Sequence, residues 1–389
     1  MKRLIPFLCL ALVAVACEMD APTVPEDDLQ LGVDCDDPKF EEHPKCGGGG
    51  ETDAYDAIPL GEARSLSWAA DLSERTAGVT LVTGYTEGSS GDPIATLWTV
   101  TDGAAVKATL PQRSGRGPSA APGISDDGSL IVGYDAESMG GAGNAHFVGT
   151  EPIMWKAPFV SADPLTLPAL HNDGGFARDV NNSGTIVGTS FDRYYHTRAT
   201  VWDGYSGTVN RMLASFDESG SSEAFSVNND GYVVGFGTTA NANYPPWHAM
   251  LWAPDGTKCD LHVQSGWSDD IKTDAVGISD DLGDGTILIV GGGNSGSAVW
   301  QGDPTDCSSF QVLPMPSDVE FHGVSANHEA VGKTTSGKPH PVYFDLISST
   351  LIAAGDKPGV ANEINLAGEI VGWVDSKGSE IATLWIPRQ

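Results

Sequence analysis

The chain runs to 389 residues, 40% of them apolar, with 52 Asp and Glu against 21 Lys and Arg and a formal net charge of −31 at pH 7. So acidic a chain argues against binding nucleic acid or bare anionic lipid. The charge fits a soluble exported protein, a cationic partner, or a salt- or calcium-rich setting.

The first residues read as an export signal, residues 1–16. Lys2 and Arg3 precede an apolar run from Leu4 to Ala16, too short to anchor stably across a bilayer. Two cleavage readings stay open. Ala14-Val15-Ala16 fits the small-residue rule of ordinary signal peptidase. Val15-Ala16-Cys17 resembles a bacterial lipobox, with Ala14 in place of the usual larger apolar residue, and makes Cys17 the lipidated residue. The lipoprotein reading is preferred, because an acidic tether follows and Cys17 has no other clear job. It implies an outer-membrane or cell-surface lipoprotein, with contact to the membrane only through the lipid; simple secretion is the alternative. Loss of residues 1–16 removes Lys2 and Arg3 and leaves a formal charge of −33.

Residues 17–56 read as a tether. From Glu18 onward they carry thirteen acids against two lysines, and Gly47-Gly48-Gly49-Gly50 falls near the end of the stretch. Such a segment cannot bury a core. Cys35 and Cys46 close a small disulfide loop in an oxidising compartment. Asp34, Asp36, Asp37, Glu41 and Glu42 could ligate a metal, but a solvated acidic spacer is the simpler reading.

From residue 57 to 389 one phrase recurs seven times: an apolar strand, a polar turn, a Val-rich strand ending in Gly, and a strand ending in an aromatic. The glycine falls at Gly84, Gly133, Gly188, Gly235, Gly291, Gly332 and Gly372. The aromatic falls at Trp98, Trp155, Trp202, Trp252, Trp300, Phe344 and Trp385. Turns such as Asn182-Ser183-Gly184 and Asn229-Asp230-Gly231 supply residues that tolerate positive φ. The first and sixth copies lack the turn glycine. In the clearest copy the four strands are Ala224–Val227, Tyr232–Gly235, His248–Trp252 and Asp260–Val263. A repeat made only of strands and turns predicts an all-β fold, a β-propeller of seven four-stranded blades. The last copy stops at Trp385-Ile386-Pro387 without a fourth strand, and Ala57–Gly61 reads as an orphan strand that completes it. The aromatic column is expected to form blade-to-blade core.

The pattern Ile/Val-Asn-x-x-Gly-x-Val-Val-Gly followed by His248-Ala249-Met250-Leu251-Trp252 resembles the HAF-type extracellular repeat of bacterial proteins. Ala95-Thr96-Leu97-Trp98, Ala199-Thr200-Val201-Trp202 and Ala382-Thr383-Leu384-Trp385 depart from the name-giving motif. The resemblance implies an exported propeller-like domain and transfers no catalytic motif.

Cys259 and Cys307 each follow their unit's tryptophan by seven residues, so they occupy equivalent places in neighbouring blades. A bridge between them requires the blades to approach within about 7 Å, whereas the outer parts of blades usually diverge. Both outcomes stay open.

Loops joining second to third strands lie on the same side as the links between blades, and they vary most. Arg193, Tyr194, Tyr195, His196, Tyr244, Trp247 and Trp267 fall on that side, as a candidate surface for stacking sugar or peptide; packing over the blade tops is the competing reading. HExxH, GxSxG, CxxC and phosphate-loop motifs are absent. Asp192, Arg193 and His196 form a weak catalytic candidate, so no catalytic residue is assigned. His248, at a strand start, is expected to pack or hydrogen-bond. Asp-Gly and Asn-Gly turns could bind Ca²⁺, although turn chemistry explains them without metal. Two functions follow: a non-catalytic surface binding or scaffold protein with a glycan or protein partner, or a propeller-type polysaccharide-active hydrolase or lyase.

Overall fold

The computed structural model describes residues 54–139, 147–171, 174–194, 196–204, 206, 208–216, 220–238, 247–268, 271–293 and 296–388. Cys17, Cys35, Cys46, Tyr195 and Tyr244 lie outside them. Seven four-stranded antiparallel sheets are arranged around a common axis as a seven-bladed β-propeller. The first strands are Ser67–Leu72, Ser119–Ile124, Gly175–Val180, Ser222–Val227, Thr273–Ile278, Val319–Ser325 and Gly359–Ile364. Each touches the first strands of both neighbours, the seventh against the first included, so they line the axis.

The two recurring columns have separate physical causes. A Cβ on Gly235 would stand 1.9 Å from the carbonyl oxygen of Glu223, and the other six glycines meet the first strand's backbone in the same way, at 1.9–2.1 Å. Only glycine lets the second strand approach the first so closely. The six tryptophans of the aromatic column are all at most 1% exposed. Five of their indoles donate to a carbonyl of the preceding blade's outer edge: Trp98 to Leu60, Trp155 to Pro111, Trp202 to Pro168, Trp252 to Ala214 and Trp300 to Leu261, at 2.8–3.1 Å. The expected blade-to-blade role is what the structure has.

The apolar core is correspondingly divided. Seven buried clusters each span one junction between adjacent blades, for example Val234, Leu251 and Leu261 of the fourth against Ile289 and Trp300 of the fifth. A blade therefore buries its apolar faces only against its neighbours.

Tyr55–Pro59 pairs antiparallel with Ser379–Pro387 as the outer strand of the seventh sheet, from Tyr55 opposite Pro387 to Pro59 opposite Thr383. This lies two residues earlier than the Ala57–Gly61 expectation. Just past it the Leu60 N–H still donates to the Ala382 carbonyl of the same partner strand, and the Leu60 carbonyl accepts from the Trp98 indole.

Three other expectations are corrected or resolved. The fourth strand of the fourth blade is Lys258–Asp260, not Asp260–Val263. Asp260 instead caps a one-turn helix, Leu261–Gln264, by accepting from the Val263 amide. The first blade's turn does hold a glycine, contrary to expectation: Ala77 and Gly78, directly before Val79–Glu87, carry its positive φ, whereas the sixth blade's turn has none and uses His328. Cys259 and Cys307 are bridged, with Cα atoms 5.4 Å apart. A 3₁₀ turn, Cys307–Ser309, delays the fifth blade's outer strand to Gln311–Val312 and so keeps Cys307 beside the fourth blade.

Candidate functional site

The propeller has two unlike ends. One carries the turns between first and second strands, the turn face. The other carries the longer loops between second and third strands together with the blade links, the loop face.

At the turn face the turns bond one another around the ring. The Asp127 amide donates to Asn182 Oδ1, the Asn182 amide to Asn229 Oδ1 and the Asn229 amide to Asp280 Oδ1, at 2.8–2.9 Å. The Leu366 amide reaches Glu74 in the same way. One residue further in, Asn181, Asn228 and Asn365 each donate to the neighbouring blade's backbone.

Behind this girdle lies a 290 Å³ cavity on the axis, lined among others by Asp71, Asp126, Asp179 and Glu363. Each first strand has a bulge just before this level. The bulge re-aims the next residue, which is Asp71, Gly123, Asp179, Ser226, Gly277, Gly323 or Glu363. Asp71 accepts from the Leu72 amide and, across the junction, from the Ile124 amide at 2.8 Å. Asp179 accepts from the Val227 amide and the Ser226 hydroxyl of the next blade, both at 2.8 Å. These carboxylates are therefore clamps between blades. Burial and mutual repulsion raise Asp71 well above the ordinary carboxylate range and raise Asp179 as well. Burial pushes Glu363 up to about 8, and pushes Asp126 up to about 7 against the Asn229 hydrogen bond that lowers it. Arg178 also lines the cavity, but its guanidinium lies 4.9 Å over Phe225 and donates to Glu223 at 2.9 Å. Among the described residues no three His, Cys, Asp or Glu side chains are grouped to hold a metal ion. The turn aspartate Asp127 has its Oδ1 taken by Ser125 and Ser129.

The loop face is aromatic. Trp68 lies between Tyr85 and Trp373, with ring centroids 6.3 and 5.8 Å away, and Phe176 between Tyr134 and Phe191. In the fourth blade Phe225, Phe236 and Trp247 follow outward, the last two stacked at 4.7 Å and 20°. The Lys272 ammonium is 4.9 Å from the Trp247 ring centroid.

The loop after Phe191 is built around Asp192. Its Oδ1 accepts from the Tyr194 and His196 amides at 2.7 and 3.0 Å, and its Oδ2 takes two donors from Arg198, at 3.0 and 2.8 Å. Burial opposes ionisation slightly, but these donors hold Asp192 down at about 2. The loop presents Tyr194, 62% exposed, with the Arg193 guanidinium 4.6 Å over its ring and the His196 ring 6.2 Å away.

Of the residues singled out in the sequence, Arg193, Tyr194 and His196 thus stand together, and Trp247 occupies the corresponding corner of the next blade. Trp267 is half-buried, packed edge-on against His262 and Trp300 in the core of the fourth junction. His248 is buried, bonded to Asp260 at 2.9 Å and stacked on His262 at 3.9 Å. The axial carboxylates were not anticipated. Asp71, Asp179 and Glu363 share a single repeat column, the residue two after the Ala of Ala69-Ala70-Asp71, Ala177-Arg178-Asp179 and Ala361-Asn362-Glu363, while Asp126 comes from the turn that follows the first strand.

No family model matches the chain, and no curated protein matches it. Solved structures match its fold. The β-propeller domain of the Trilobed protease from Pyrococcus furiosus is similar at 11% identity and a TM-score of 0.51, covering 82% of this chain and 95% of that one. A puromycin hydrolase is similar at 16% identity and a TM-score of 0.51, covering 81% of this chain and 51% of that one. A puromycin-hydrolysing peptidase of Mycobacterium tuberculosis gives 12% and 0.50, covering 84% and 52%. The chain therefore spans about half the length of those two hydrolases. At such identities the likeness is one of fold.

Proposed function

We propose that this chain is an exported, surface-anchored binding or scaffold protein without catalytic activity, whose ligand face is the loop face. The supporting observation is the use made of Asp192. As the acid of the catalytic candidate it would need a free carboxylate; here both oxygens are spent on building the loop that carries Arg193 and Tyr194. An exposed aromatic on a loop so tightly anchored is preorganised for contact. The test is a glycan array with the purified protein, in calcium and then in chelator. Binding that disappears in a Tyr194→Ala, Trp247→Ala double variant supports the reading and locates the face; silence of the whole array redirects it to a protein partner.

Export and anchoring rest on the Lys2–Ala16 start and Cys17, and fit a HAF-type repeat protein. Mass spectrometry of the mature N-terminus tests them, since an unmodified residue 17 removes the lipid anchor. The polysaccharide-active hydrolase or lyase is favoured by one observation, the raised carboxylates Asp126 and Glu363 on the axis. Release of reducing ends or unsaturated sugars from a bound glycan, lost in Asp126→Asn, would establish it over the binding protein.

A further inference from the structure

Two cations of the loop face are held in an unusual way for so acidic a chain. Most arginines of the ring face carboxylates: Arg75 meets Glu369, Arg113 meets Glu151, Arg178 meets Glu223 and Arg198 meets Asp192. Arg193 and Lys272 meet none among the described residues. Each is instead posted over an aromatic ring, Arg193 4.6 Å from the centre of Tyr194 and Lys272 4.9 Å from the centre of Trp247. A ring holds a cation in place without neutralising it, so the charge stays available to an incoming anion. The two posts belong to one end of the propeller. Tyr194 lies just past the second strand of the third blade, Trp247 opposite Thr238 at the same corner of the fourth, and Lys272 directly before the first strand of the fifth.

Resting on the loop-face reading above, we infer that this face takes an acidic glycan, a chain of sugar rings bearing carboxylate or sulfate. Its anionic groups meet Arg193 and Lys272, and a sugar ring packs on the exposed Tyr194. A neutral glycan would use the aromatic surface and leave both cations idle. A linear polyanion also suits posts on neighbouring blades, since its anionic groups repeat along one chain. The remaining surface, rich in Asp and Glu, repels such a ligand and so confines it to this patch.

Calorimetry on the full mature protein tests the inference with three hexasaccharides: hexagalacturonate, a heparin-derived sulfated hexamer and neutral cellohexaose. The expected result is binding of at least one acidic hexamer roughly tenfold or more tighter than cellohexaose. Arg193→Gln and Lys272→Gln should each weaken it by about tenfold, with the melting temperature unchanged. The two acidic probes separate carboxylate from sulfate recognition. Equal affinity for cellohexaose, or acidic binding indifferent to both Gln variants, overturns the inference and leaves a sugar-binding loop face standing. Failure of all three hexamers also overturns it; if the wider glycan array is silent too, the glycan form of the loop-face reading falls with it.

Discussion

The two ends of this ring solve opposite problems with the same four-strand unit. On the turn face, side chains look sideways: Asn182, Asn229 and Asp280 each accept from the turn of the preceding blade, and Asp71 and Asp179 reach across junctions to Ile124 and Val227. On the loop face the cross-links sit at the strand starts, where Ser67, Ser119, Ser222 and Thr273 accept from the Ala382, Ala95, Ala199 and Ala249 amides of the preceding blade. The loop beyond them that carries Tyr194 closes on itself through Asp192, so its tip is free to vary without loosening the ring.

That contrast predicts how substitutions divide, beginning with the largest effect. Deleting residues 52–62 removes the outer strand of the seventh blade and the Leu60 carbonyl that receives Trp98. It should lower the melting temperature by on the order of 10 °C or prevent folding. An unchanged melting temperature would mean that this strand carries no stability. Replacing Cys259 and Cys307 by Ala opens a crosslink spanning 48 residues. Loop-closure entropy puts the cost at up to about 4 kcal/mol, readable by urea denaturation.

Next comes the clamp itself. Asp179→Ala orphans the Val227 amide and should cost roughly 1–3 kcal/mol, with no change in loop-face binding. Asp179→Asn keeps an acceptor while removing charge from a crowded site, and should be at least as stable as the parent at pH 8. A loss as large as that of the Ala variant would show that charge, not hydrogen bonding, closes the junction.

The same carboxylates set a pH dependence. With Asp126 raised to about 7 and Glu363 to about 8, the folded chain holds protons that the unfolded chain releases above about pH 4. Native protein then binds more protons than unfolded protein, so stability falls as pH rises from 5 to 8. Urea midpoints across that range check the slope, and Asp126→Asn should flatten it. Below pH 4 the trend reverses, because Asp192 and Glu320, both held at about 2, lose their partners on protonation. The smallest stability effect belongs to the loop face: Tyr194→Ala should change stability by less than about 0.5 kcal/mol while removing ligand binding. A large destabilisation there would erase the distinction between the faces.

Much of this architecture could be read from residue columns, because glycine and tryptophan each act at their own position. Gly235 is forced by the Glu223 carbonyl of its own blade and Trp252 by the Ala214 carbonyl of the preceding one, so neither needs more than one neighbouring repeat. The axial site is different in kind. Its column holds Asp71, Gly123, Asp179, Ser226, Gly277, Gly323 and Glu363, which looks unpatterned along the sequence. Only closing the ring brings Asp71 and Glu363 to the same cavity. The Cys259–Cys307 bridge was undecided for a similar reason: a 3₁₀ turn, not the repeat, sets the position of Cys307. On the loop face, aromatic residues could be picked out, but not that Trp267 turns inward while Tyr194 turns outward.

The partition of the core into seven junctions has one more consequence. The Arg388 amide donates to the Ala54 carbonyl at 2.9 Å, so the two ends of the ring's backbone already meet. Joined there by a short linker and reopened at any other blade link, the chain would keep every junction it has now. A circular permutant starting at Arg116 and ending at Gly115 preserves all seven clusters. To the forces that hold this molecule together, none of its blades is the first.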